Sequence, residues 1–159
     1  GASLEMDFYG GYKGTIGDFG YDIGYIYYYY PNSGNGGALK IKNGEFYVGG
    51  SYGPVSLKVY DATTDFFSAP DTKNSYYVDL SGALDLGEGI GLNAHVGYQD
   101  VKNYDKVTDY KVGVTYDVKK TGWIVGAAVI ATSKKDFFVT GDGEDGGKTK
   151  LVLSVNKSF

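Results

Sequence analysis

His95 is the only histidine in the chain, and there is no cysteine to accompany it. Without thiols there are no disulfides, no thiolate nucleophile and no Cys-based zinc site. A lone histidine does chemistry only when a serine, a carboxylate or a second metal ligand comes within reach of its ring. No Ser–His–Asp arrangement can be placed around it. Beside Asn93 and Gln99, His95 reads as a hydrogen-bonded residue of a polar wall. The stretch Gly141-Asp142-Gly143-Glu144-Asp145-Gly146-Gly147 invites a calcium reading. Its carboxylate spacing departs from the EF-hand loop, so it reads first as an acidic loop, with calcium at 142–145 left open. Gly10-Gly11 and Gly49-Gly50 lack the following helix that a phosphate-cradling loop requires and read as strand bends. Lys119-Lys120 and Lys134-Lys135 read as solvated loop ends. The expectation is therefore a non-enzyme with no catalytic residue, no cofactor and no resident metal.

Composition narrows the remaining classes. All 15 basic residues are lysine, against 19 acidic ones, and they are scattered. No basic patch points to a nucleic-acid partner. The chain carries 17 Tyr and 26 Gly but only 3 Pro, a composition that suits long strands, tight turns and aromatics at an interface. A length of 159 residues is enough for one domain. No run of about 18 apolar residues exists, so a membrane-crossing helix is not expected. A barrel strand, by contrast, presents apolar residues only at every second position.

Such alternation runs along the whole chain. In the first strand, Leu4 to Lys13, Leu4, Met6 and Phe8 share one face while Glu5, Asp7 and Tyr9 share the other. In the second, Phe19 to Tyr30, Phe19, Tyr21, Ile23, Tyr25, Tyr27 and Tyr29 oppose Asp22, Gly24, Ile26, Tyr28 and Tyr30. The third, Ala38 to Ser51, contains Asn43-Gly44, a hairpin signal. It is read as one long strand bent at Gly44, with an extra small hairpin as the alternative. Val55–Asp61, Ser75–Leu86, Ile90–Gln99, Asp109–Val118 and Lys150–Phe159 alternate in the same way. Thr121–Thr132 is apolar on both faces, and its Val, Ile and Thr content favours a strand over a helix.

The links between these strands follow a rhythm. Tight ones fall at Gly14–Asp18, Gly53–Pro54, Gly87–Gly89 and Lys119–Gly122. Longer polar ones fall at Pro31–Gly37, Ala62–Asn74, Asp100–Thr108 and Ser133–Lys148. Tight turns at one end and long loops at the other are how membrane β-barrels are built. The expected fold is all-β: an antiparallel up-and-down meander of about nine strands forming a transmembrane-type barrel, one domain over residues 1–159. The apolar face then meets lipid. Tyr21, Tyr27, Tyr29, Tyr76, Tyr98, Tyr110, Tyr116 and Trp123 would form girdles at the two interfaces. Phe159 would be the C-terminal tag for barrel assembly. Glu5, Asp7, Asp22, Glu45, Lys58, Asp79, Asp85, His95, Lys111 and Asp117 would line a lumen, where charges of both signs are expected to pair across strands. The alternation by itself is equally compatible with a soluble barrel holding an apolar ligand.

Nine strands is an odd number, whereas bacterial single-chain barrels use an even one. An odd number of N-terminal strands is therefore expected to be missing, or the barrel to be completed in another way; one strand from a partner chain, or a miscount at Asn43-Gly44, would also restore evenness. The segments GASLEMDFYGGYKG, FGYDIGYIYYYYP, EFYVGGSYG and VSLKVYD resemble the TorF-type porin family of proteobacteria, most clearly over residues 1–61. Members carry a signal peptide and further N-terminal strands, which these residues do not include. The resemblance implies a protein of the bacterial outer membrane, with membrane lipid, lipopolysaccharide and the barrel-assembly machinery as partners and homo-oligomers as a further expectation. It supplies no catalytic residue. The implied function is passive passage or gating of small polar solutes. The alternatives are a structural barrel that assembles with its own copies, and the soluble ligand carrier.

Overall fold

The computed structural model describes residues 4–34, 40–119, 121–136 and 143–158. Nine strands follow one another: β1 (Met6–Ile16), β2 (Phe19–Tyr29), β3 (Lys42–Tyr52), β4 (Val55–Ala62), β5 (Tyr76–Asp85), β6 (Ile90–Asp100), β7 (Lys106–Val118), β8 (Trp123–Thr132) and β9 (Lys150–Lys157). They hydrogen-bond in chain order in a single sheet, each strand beside its sequence neighbours. The only helical turn among the described residues is Phe66–Ser68. The meander expected from the loop rhythm is present.

Three boundaries differ from the alternation. β1 extends to Ile16, because Gly14, Thr15 and Ile16 continue the ladder opposite Tyr21, Gly20 and Phe19. The turn is then only residues 17–18, with Gly17 at φ 58°. β7 starts at Lys106, three residues before the expected Asp109, which cuts the β6–β7 connection to residues 101–105. Asn43-Gly44 makes neither a hairpin nor a break: both residues sit in register inside β3, opposite Tyr28 and Tyr27. Gly44 is required there for a different reason. A Cβ at this position would collide with the Tyr25 hydroxyl, which hydrogen-bonds Thr63 at 2.9 Å.

Closure is the larger correction. β1 and β9 stand at the two ends of the strand order, and no pairing between them occurs among the described residues. The ladder is a meander with two end strands and not a closed ring. The physical reason is parity: in a strictly alternating meander the first and ninth strands run the same way, so they cannot form the antiparallel pair that would close it.

The chain groups into two compact units. One comprises Gly1–Gly53, Leu57–Val78 and Gln99–Lys106; the other comprises Pro54–Ser56, Asp79–Tyr98 and Val107–Phe159. In the first, the apolar row Tyr12–Ile23–Val48 alternates with the row Gly11–Gly24–Tyr47 on the opposite face. The long connection after β4 is held by side chains. Asp65 accepts from the backbone N–H groups of Thr72 and Lys73 at 3.0 and 3.1 Å, Thr72 and Ser75 are buried, and Phe67 packs on Tyr28 and Tyr30. In the second unit, Val112–Val129–Leu151, Val114–Ala127–Leu153 and Tyr116–Val125–Val155 form continuous apolar rows across β7, β8 and β9.

Gly24 shows how tightly the first unit packs. The Tyr47 ring lies over the bare backbone of β2: a Cβ at Gly24 would stand 2.5 Å from the Tyr47 hydroxyl and 2.7 Å from the Gly10 carbonyl oxygen. Gly10 faces the other way, and a Cβ there meets nothing within 4 Å. Gly24→Ala is expected to lower stability by about 1–3 kcal/mol through overpacking, while Gly10→Ala changes it by less than about 0.5 kcal/mol. Urea unfolding of the two variants, followed by tyrosine fluorescence, checks the contrast; equal midpoints would contradict this packing.

Candidate functional site

The charged residues of the polar face fall into two clusters, one in each unit. In the second unit the cluster centres on His95, in β6, whose sheet neighbours are β5 and β7. Its Nδ1 lies 2.7 Å from Asp79 Oδ2, and its Nε2 lies 3.1 Å from Asp109 Oδ1. The hydroxyl of Ser81 donates to the second oxygen of Asp79. These side chains come from alternate positions of three adjacent strands, so the pleat turns them to one face. All three groups of the clamp are about one-quarter exposed. The imidazole thus bridges two carboxylates and ties three strands together.

Ser81 bonds the carboxylate of Asp79 and not the ring, and each ring nitrogen of His95 faces a carboxylate oxygen. An open pocket of about 300 Å³ adjoins the clamp and is lined by Ser56, Ser81, Asn93, His95 and Lys111, among others. The Asn93 Oδ1 is buried without a hydrogen-bond partner, and a Cβ at Gly113 would touch it.

The first unit holds the other cluster. Lys58 pairs with Asp22 at 2.6 Å, and its ammonium lies over the rings of Tyr47 and Tyr60, 4.7 and 5.8 Å from their centroids. Tyr47, Tyr60 and Tyr77 make a continuous aromatic stack with centroid separations of 5.6 and 6.2 Å. Glu45 accepts a hydrogen bond from the fully buried Asn43 at 2.8 Å. Cation–π contact and a partly desolvated ion pair hold this lysine in one place.

The remaining expected residues are less engaged. Glu5 precedes β1, and Glu5, Asp7, Asp85, Lys111 and Asp117 are exposed. Asp85 accepts from the Gly87 N–H at 2.8 Å and shapes the turn to β6. Among the expected aromatics, Tyr29, Tyr76 and Trp123 terminate strands, and Tyr21, Tyr27, Tyr98 and Tyr116 stand two residues from an end. Tyr110 lies deeper in β7 because that strand starts early. Glu144 and Asp145 approach Lys148 at 2.9 and 3.9 Å. Asp142 and Phe159 lie outside the described residues. Asp109, Ser81 and Asn43 were not among the expected site residues. The period-two pattern places Asp109 on the face of Lys111, but which strand position faces His95 is a matter of register, which one sequence does not state.

A model of a bacterial protein family of unknown function, Gcw_chp, matches residues 1–159. The chain belongs to the Gcw_chp family. No curated protein and no solved structure matches it. The family match places the chain among bacterial proteins and does not tie it to TorF-type porins. In this Gcw_chp member, His95→Ala would leave Asp79 and Asp109 partly buried without their shared donor. The expected cost is about 1–3 kcal/mol. Lys148→Ala, which breaks an exposed pair, is expected to cost less than about 0.5 kcal/mol. Urea midpoints compare the two, and an effect of His95→Ala no larger than that of Lys148→Ala would show the clamp to be idle.

Proposed function

We propose that this Gcw_chp protein is a porin-like β-barrel of the bacterial outer membrane that passes or gates small polar solutes without catalysis. One observation carries the reading: the apolar face is uncovered. Leu80, Val112 and Leu153 are 45, 59 and 74% exposed, and the only large apolar side chains among the buried residues are Val101 and Val107. In a soluble sheet protein these alternating residues would form the core, because burying each one contributes about 1.5–3 kcal/mol. Uncovered apolar area on this scale marks a surface made for lipid or for another protein. Ion pairs, a histidine clamp and a lysine held on tyrosines occupy the opposite face, as the wall of a water-filled interior would require.

A closed barrel of antiparallel neighbours needs an even number of strands. The proposed barrel therefore recruits at least one strand beyond the nine. The unpaired sides of β1 and β9 favour a second reading, in which copies of the chain join through these edges into oligomers.

The experiment that tests the lipid-facing assignment is a charge placed on the apolar face. In lipid bilayers, Val112→Arg is expected to destabilise the folded protein by about 2–4 kcal/mol, the cost of arginine near the bilayer midplane. On a face that meets water, the same change at so exposed a position costs less than about 0.5 kcal/mol. Reversible urea unfolding in phospholipid vesicles distinguishes the two, and a neutral result overturns the membrane reading. Planar-bilayer recording then tests the pore: well-folded protein that never conducts would leave the assembling structural barrel in its place.

A further inference from the structure

We propose that the pocket beside His95 binds the oxyanion group of a small solute, a carboxylate or a phosphate. Lys111 supplies the charge, and Ser56 and Asn93 supply neutral donors. The proposal deepens the porin-like reading and rests on it for the solute's route, since it names the charge class of what would enter the polar interior.

Among the described residues Lys111 makes no ion pair, whereas Lys58, Lys106, Lys119 and Lys148 each face a carboxylate within 2.9 Å. The acids near it are already engaged. Asp109, two positions earlier on the same face of β7, is held by His95 Nε2; Asp79 is held by His95 Nδ1 and by the Ser81 hydroxyl. The clamp thus engages the local acids and leaves the Lys111 ammonium to whatever enters the pocket. Lys150 adds to the field. It stands in the same cross-strand row, Lys111–Ile130–Lys150, and it too has no ion pair among the described residues. Two unmatched ammonium groups in one row favour a mobile anion.

Neutral side chains stand beside the lysine. Ser56 lines the pocket, and its hydroxyl makes no hydrogen bond among the described residues. Asn93 turns its carbonyl oxygen into a buried position, so its N–H groups are the part of the amide left to meet a solute. A lysine, a serine and an asparagine lining about 300 Å³ suit a compact oxyanion, which accepts several hydrogen bonds at once.

The test titrates the intact protein in detergent micelles with sodium phosphate and, separately, sodium acetate, by isothermal calorimetry. Saturable binding of at least one probe is expected, and the tighter of the two identifies the solute's acid group. Lys111→Gln should weaken it about tenfold or more, Lys111→Arg should largely retain it, and Ser56→Ala should weaken it about threefold. Lys119→Gln, at the exposed β7–β8 turn, should leave it unchanged. Absence of saturable binding by both probes, or wild-type affinity in Lys111→Gln, overturns the proposal. Bilayer recording separates this from the porin reading. Conductance with Lys111-independent binding would overturn the anion site alone, while Lys111-dependent binding in a protein that never conducts would uphold the site and overturn the pore.

Discussion

The fold rests on a sheet that, among the described residues, has no partner layer for its apolar face. A strand of period two necessarily makes two faces, and a soluble domain hides the apolar one against another sheet or helix. Here no helix longer than the turn Phe66–Ser68 exists among the described residues, and the rows Val112–Val129–Leu151 and Val114–Ala127–Leu153 remain uncovered. Backbone pairing supplies the order in such a sheet, because every interior strand has both its ladders satisfied. The hydrophobic effect then acts between the sheet and its surroundings and not within the chain. In the proposed membrane barrel, lipid would take the place of a core.

The polar face answers the complementary problem. Charges that leave bulk water must be matched, or they cost several kcal/mol each. The two units do this differently. The first uses one lysine, one aspartate and the faces of two tyrosines, with glycines opposite Tyr47 so that its ring can lie flat on the backbone. The second uses a single imidazole between two carboxylates, which links three strands with one side chain.

Much of this was legible from residue order. The strand faces follow from alternation, and the tight turns follow from Gly-containing pairs such as Gly17-Asp18 and Gly53-Pro54, whose glycines adopt φ of 58° and 54°. The strand character of Trp123–Thr132 was readable from its β-branched content, although both of its faces are apolar. Register was not readable. Asn43-Gly44 carries the strongest hairpin signal in the chain, yet its glycine serves the close approach of Tyr25, a residue 19 positions earlier. Asp109 was visible as a polar-face residue of a strand, but its meeting with His95 depends on how β6 and β7 slide against each other. Closure failed for a related reason: local pattern says that strands pair with their neighbours and says nothing of what meets the two end strands.

The contrast between Lys58 and Lys111 follows from these constraints. Both are polar-face lysines near the middle of their strands, at β4 and β7. Lys58 finds Asp22 at 2.6 Å and two aromatic faces, and its charge is spent on holding the wall together. Lys111 has an aspartate two residues away on its own face, but histidine has already taken it. Replacing His95 with alanine would free Asp109 to reach toward Lys111. The clamp therefore does more than tie strands together: by engaging Asp79 and Asp109, it leaves the Lys111 ammonium without an ion pair among the described residues.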